Sequence, residues 1–338
     1  MMARYRLKQD LVILGEFFFD LVFYNLSEPP QFGLEVKTDS FEVAPGGGLA
    51  TTALVVAGLG TRVQIITRIG RDALPHPAWK RLEDAGIGDK ACEVRDDCTT
   101  AQTVCVAYGG DRMMVTHDAI NHRLDRLTKL PNVRRQLRRA KHVHLACALR
   151  PPNAWVPILR ALRRAGTTLS ADIGWNPDVL KAASLRTVLS QLDFVFPNET
   201  EALAITGTST VEQAAKELGQ WVRTPVVKLG PAGSLAIIDD ELVRFRPMQV
   251  RSVDATGAGD AFNGGFLHGY LRRWPLADCV LAGNVCGALA TTAPGGSSAI
   301  PTPAKLARWM RSLSRPRDAE GAARQGRENE QIDSIRKA

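Results

Sequence analysis

Residues 251–270 read RSVDATGAGDAFNGGFLHGY, and the rest of the chain is organised around this stretch. Val250 and Val253 read as the end of a strand, and the run 255–259 has almost no side-chain bulk. Phe262, Phe266, Leu267 and Tyr270 then recur at helical spacing. The stretch therefore predicts a strand, a glycine turn and a helix. Several backbone N–H groups of the turn would point out of the helix N-terminus, where unpaired donors and the helix dipole favour an anion such as phosphate. Asp260, at the same helix start, reads as a capping residue, a metal ligand or a proton acceptor.

The chain has 338 residues, 45% of them hydrophobic, enough to build a large buried core. The most apolar run, residues 11–24, is interrupted by Glu16 and Asp20, which excludes a bilayer span. The first ten residues lack the apolar block and small-residue cleavage site of a secretory leader, so a cytoplasmic protein is expected. Six cysteines without a C-x-x-C pair speak against a zinc site and a disulfide framework. The net charge of +8 raises the question of nucleic acid. The excess reads as local, one cluster in the tail and one at Arg134, Arg135, Arg138, Arg139 and Lys141, where Val133 and Leu137 form an apolar seam and no aromatic residues are interleaved to stack on bases. That pattern reads as a solvated helix face, with neither nucleic acid nor membrane as a partner.

Working outward, residues 11–15 predict a buried strand ending at Gly15, with Asp20 five positions on. Residues 31–44 read as an extended, partly exposed segment, Pro45-Gly46-Gly47-Gly48 as a turn, and 49–59 as a helix. A strand follows over 62–70 and a short helix over 78–86. From 99 to 118, alternating β-formers surround Gly109-Gly110-Asp111, a hairpin signal, and this hairpin with 31–44 predicts a small separate sheet. Strands near 142–147, 168–173, 193–196, 225–229 and 234–238 then alternate with helices near 153–165, 178–191, 199–206 and 211–222. That alternation predicts an α/β fold, a mostly parallel sheet covered by helices on both faces. Helices over 276–292 and 303–314 complete a single expected domain of residues 1–314. The polar stretch 315–338 is expected to be a disordered tail.

Four stretches in order along the chain resemble the signatures of the PfkB family of carbohydrate kinases, the ribokinase-like enzymes, over roughly residues 11–303. They are Gly15, Asp20 and Gly46-Gly47 through Arg68-Ile69-Gly70-Arg71-Asp72; Asn198-Glu199-Thr200-Glu201; 227–233; and the D-x-x-G-A-G-D run from Asp254 to Asp260. The resemblance implies a three-layer αβα fold with a small β-sheet lid and an ATP-dependent sugar kinase. In it Asp260 would be the catalytic base and Gly257, Ala258 and Gly259 the anion hole. Asp20, Gly46, Gly47 and Thr51 would meet the acceptor. Asn198, Lys228, Gly230, Gly233 and Asn284 would meet the nucleotide, and Glu201 would hold Mg²⁺ through water. Asp254 and Thr256, with the loop 293–297, match a monovalent-cation site, so potassium is the further cofactor implied. The lid also implies a homodimer.

The chain departs from the family pattern at Thr51, where many members carry asparagine, and at Leu49. Thr51 lacks the amide's second hydrogen-bonding group, so a ribose-like pattern of contacts does not follow. Phe17, Phe18 and Phe19 are unusually aromatic for this place; by period two, Phe17 and Phe19 share a side and Phe18 faces the other way, toward the acceptor. A nucleoside kinase on the same fold, or a sugar- or nucleotide-sensing relative without catalysis, are the alternative readings. Intact Asp260, Gly257, Gly259, Asn198 and Glu201 speak against the last.

Overall fold

In a computed structural model, which describes residues 9–314 apart from Gly110, Pro294 and Ser297, fourteen strands run in chain order. They are β1 (Gln9–Gly15), β2 (Phe18–Phe23), β3 (Phe41–Gly46), β4 (Val63–Ile66), β5 (Arg68–Gly70), β6 (Glu93–Arg95), β7 (Gln102–Tyr108), β8 (Asp111–His117), β9 (Ala140–Ala146), β10 (Thr168–Asp172), β11 (Phe194–Val195), β12 (Thr224–Lys228), β13 (Ser234–Ile238) and β14 (Glu241–Phe245). Eight form the main sheet in the order β14-β13-β12-β11-β10-β9-β1-β4. From β4 to β12 all pairings are parallel, and β13 and β14 add an antiparallel edge.

Leu11, Val12, Ile13 and Leu14 are all fully buried, as a central strand covered on both faces requires. Alternate residues go to opposite sides. Val12 and Leu14 join Val133, Leu159 and Leu218 of the helices Pro131–Leu137, Val156–Arg164 and Val211–Gly219. Leu11 and Ile13 join Leu49, Phe266 and Val280 of the helices Gly47–Gly58, Ala258–Leu271 and Leu276–Ala290. The result is the expected three layers.

The lid is a second sheet, ordered β3-β2-β7-β8. The hairpin of β7 and β8 falls where the turn signal placed it. The partner strands do not: within 31–44 only the end, from Phe41, is strand, and the lid's centre is Phe18–Phe23. The three phenylalanines obscured that strand, and β2 shows no simple alternation, since Phe19, Asp20 and Val22 are all buried.

Three other expectations change. Residues 62–70 split into β4 and β5, which pair in different sheets. The helix expected over 178–191 is two, Pro177–Leu180 and Leu185–Leu189. No strand leads into the glycine turn: 246–257 is irregular, and Val253 is exposed with its N–H donating to Thr291 O at 2.7 Å. The tail expected over 315–338 lies outside the described residues, as does most of the N-terminal decapeptide. Among the described residues no helix is long and apolar enough to cross a membrane.

Candidate active site

The site lies where the parallel strands end at their carboxyl termini, beneath the lid. Gly257 caps the helix Ala258–Leu271 in the left-handed region, φ 68°. A Cβ there would stand 3.1 Å from Gly296 Cα and 3.3 Å from Thr51 Cγ2, so conformation and crowding both call for glycine. Asp260 is the third residue of the helix, and its carbonyl accepts a hydrogen bond from Thr52 Oγ1 at 3.0 Å, which ties this helix to Gly47–Gly58. No side-chain hydrogen bond caps the helix. The carboxylate instead leans toward the start of the helix Gly47–Gly58: a Cβ on Gly48 would lie 2.8 Å from its Oδ1. Burial pushes the Asp260 carboxyl up to about 7, with Asp172 adding to the shift and Lys228 opposing it.

On the lid side, Asp20 sits in a row across four strands, in register with Ala44 and Thr103, and Thr103 with Thr116. A Cβ on Gly46 would fall 2.1 Å from Asp20 Oδ1, so only glycine lets this carboxylate pack on the backbone. Burial, and then the neighbouring charge of Asp254, raise Asp20 to about 7. Asp254 accepts from Thr256 N at 2.8 Å and from Gly295 N at 2.9 Å, bracing the glycine turn against the 295–296 backbone. Two members of the 293–297 loop, Pro294 and Ser297, lie outside the described residues. Phe17 and Phe19 are buried and pack edge to face, whereas Phe18 is half-buried and lies against Gly47. Beside them Arg150 donates to Asp118 at 2.8 Å and to Glu16 at 3.3 Å. Burial raises Glu16 to about 7. This triad was not anticipated, since its members are far apart in sequence and carry no motif.

On the opposite side, Lys228 ends β12, and its Nζ lies 2.6 Å from Asp172 Oδ2, with both side chains nearly buried. Asn263 Nδ2 donates to the same oxygen at 2.6 Å. Burial would lower the lysine and raise the aspartate, but each is held charged by the other: Lys228 is shifted up and Asp172 down. Neither Asp172 nor Asn263 was singled out from sequence. Asp172 is the last residue of a parallel strand, which is the place where such sheets put ligand groups. A Cβ on Gly259 would stand 3.0 Å from Lys228 Nζ, so the ammonium borders the glycine turn.

Asn198 and Glu201 form a complete capping box, Glu201 N to Asn198 Oδ1 at 2.8 Å and Asn198 N to Glu201 Oε2 at 2.9 Å. Glu201 is raised by burial and by Asp172. A cavity of about 230 Å³ opens beside Lys228, bounded by Gly230, Gly233, Gly259, Phe262 and Asn284. Asn284 Nδ2 donates to Arg246 O at 3.3 Å at the cavity wall. Among the described residues no three His, Cys, Asp or Glu side chains converge as a metal cage. Asp172, Glu201 and Asp260 nonetheless outnumber the one ammonium of Lys228, a surplus that suits a cation held through water and phosphate.

The fold and this constellation define a class, a phosphotransferase with an alcohol group as acceptor. The pfkB family carbohydrate kinase profile matches residues 8–303, and the chain belongs to that family. A cytidine kinase of Thermococcus kodakarensis is 29% identical over 244 residues, 71% of this chain and 84% of the relative. The ribokinase of Haemophilus influenzae is 25% identical over 88% of this chain and 96% of its own length. Among solved structures, a putative ribokinase II from E. coli in complex with ATP and Mg²⁺ superposes with a TM-score of 0.77 at 22% identity, covering 90% of this chain and 99% of that one.

Proposed function

We propose that the protein transfers the γ-phosphoryl group of ATP to a hydroxyl of a small sugar or nucleoside, with Asp260 as the general base. The observation that carries this reading is the Asp260 carboxylate itself. It is half-buried and shifted to about 7 beside the first-turn N–H groups of its own helix, so it can exchange a proton near neutrality while those groups receive anionic charge. Asp260 takes the acceptor's hydroxyl proton. The N–H groups of Gly257, Ala258 and Gly259 stabilise charge on the transferring group, and Lys228, fixed by Asp172, adds a positive charge at the edge of the turn. Gly230, Gly233 and Asn284 bound the nucleotide cavity, while Asp20 and the backbone of Gly46 and Gly47 receive acceptor hydroxyls, with Thr51 behind the turn. The lid covers the cleft and keeps water from competing as acceptor.

The carboxylate surplus fits Mg²⁺, which when bound offsets phosphate charge; Glu201 would hold it through water, with Asn198 fixing that carboxylate. Asp254 and Thr256 border the place where a potassium ion would rest. The relatives' names divide between sugar and nucleoside acceptors. A nucleoside is the second reading, supported by a cavity of about 210 Å³ at the lid's mouth that places Tyr24 and Tyr108 near Asp254, where a base could stack. The outer face of the lid carries the pairs Val104–Val115 and Val106–Met113, and Val115 is 65% exposed, a surface suited to a second copy of the chain. An ATP-consumption assay over neutral pentoses, hexoses, sugar acids and nucleosides tests the reading. Turnover with one acceptor class supports it, and no turnover with any class counts against it.

A further inference from the structure

We infer that the groove between the helices Pro131–Leu137 and Val156–Arg164 docks an acidic, amphipathic segment of a partner protein. Residues 119–165 hold twelve Lys and Arg and one acidic residue, whereas the rest of the chain holds 31 basic and 34 acidic residues. The basic character of the protein therefore resides in this stretch. Folding concentrates it further. Burial of Val133 and Leu137 on one helix and of Leu159 and Leu162 on the other turns Arg134, Arg138 and Arg164 outward. Together with Lys129 they rim a hollow of about 880 Å³ whose floor includes Pro157 and Ala161. The single carboxylate of the stretch, Asp125, is buried and paired bidentately with Arg123 at 2.8 and 2.9 Å. Among the described residues, Lys129, Arg134, Arg138 and Arg164 form no ion pair.

Like charges held this close repel one another, so the rim is complementary to anionic groups. The apolar floor narrows the choice of partner. Stacking of bases needs exposed aromatic rings, and the groove offers none, since Trp155 is buried. A bilayer surface would offer phosphates to the cationic rim, but membrane-seated helices insert large apolar side chains, and the exposed apolar residues here, Pro157 and Ala161, are small. An amphipathic segment fits both, with carboxylates on the rim and aliphatic side chains against Pro157 and Ala161. The two helices lead into the amino ends of β9 and β10, whereas the candidate active site is at the carboxyl ends, so docking leaves the cleft open.

The test is fluorescence anisotropy on the full-length protein with a labelled 16-residue probe peptide that places glutamates on one helical face and leucines on the other. Saturable binding at 50 mM NaCl is expected, weakening at least tenfold at 300 mM. Arg134→Glu combined with Arg138→Glu should weaken it at least tenfold, and Ala161→Gln, which fills the floor without adding charge, about threefold or more. Circular dichroism and kinase kinetics should be unchanged in both variants. The inference is overturned if the peptide does not saturate, if both variants bind normally, or if a scrambled peptide of equal charge binds as well. Tighter binding of a single-stranded oligonucleotide or of anionic phosphatidylserine vesicles also overturns it.

Discussion

The ammonium of Lys228 lies 2.6 Å from Asp172 Oδ2, the two residues ending β12 and β10 on either side of β11 with almost no solvent around them. Removing one partner leaves the other charged in a buried place. Asp172→Ala is expected to cost about 3–5 kcal/mol of stability. Thermal unfolding checks this, and a loss near zero would mean that the pair is not coupled as described. In whatever fraction folds, the KM for ATP should rise more than the KM for the acceptor, because Lys228 borders the cavity proposed for the nucleotide.

Asp20 and Asp260 are both held near 7, far above an ordinary carboxylate. The folded state therefore binds more protons than the unfolded chain between about pH 4 and pH 7, and stability falls as pH rises through that window. Asp20→Asn and Asp260→Asn should each raise stability at pH 8 by about 1–2 kcal/mol and flatten its pH dependence. Denaturant melts at pH 5.5 and pH 8 measure this directly, and parallel curves for wild type and variants would contradict it. For the same reason kcat should rise through pH 7 as Asp260 loses its proton.

The glycine beside Asp20 provides a separate handle on the acceptor. Gly46→Ala would place a methyl group 2.1 Å from Asp20 Oδ1 and must displace that carboxylate. The expected outcome is an acceptor KM raised at least tenfold with the KM for ATP within about twofold of wild type. An equal rise in both would place Asp20 outside the acceptor subsite.

The parts of the fold that were legible in sequence are those that a local signal specifies. Leu11 to Leu14 form an uninterrupted apolar run, Gly109-Gly110-Asp111 turns a hairpin, and Phe262, Phe266 and Tyr270 repeat at helical spacing. Asp260, Gly257 and Asp20 were legible because glycines accompany them in a recognisable order. Asp172, Asn263 and the Glu16–Arg150–Asp118 group were not, since each acquires meaning only when β1, β9, β10 and the lid come together. The strand expected before the glycine turn failed for a related reason. Val250 and Val253 are apolar, but the Val253 N–H is taken by Thr291 O at the end of the helix Leu276–Ala290 instead of by a strand, and the Val253 side chain stays exposed.

The outer face of the lid makes a further prediction. Light scattering at micromolar concentration should report a dimer, and Val115→Asp should convert it to a monomer that still folds, because Val115 is solvent-facing within one chain. A monomeric wild type, or a dimer indifferent to that change, removes the lid as the interface.

The central claim is that Asp260 accepts the proton of the attacking hydroxyl. Asp260→Asn keeps the size of the side chain and removes its basicity, so the most direct measurement is its kcat with the best acceptor of the panel, beside its affinity for ATP. A fall in kcat of about 10²–10⁴-fold with ATP affinity nearly intact is the predicted result. Turnover close to wild type in a folded Asp260→Asn protein would contradict the account.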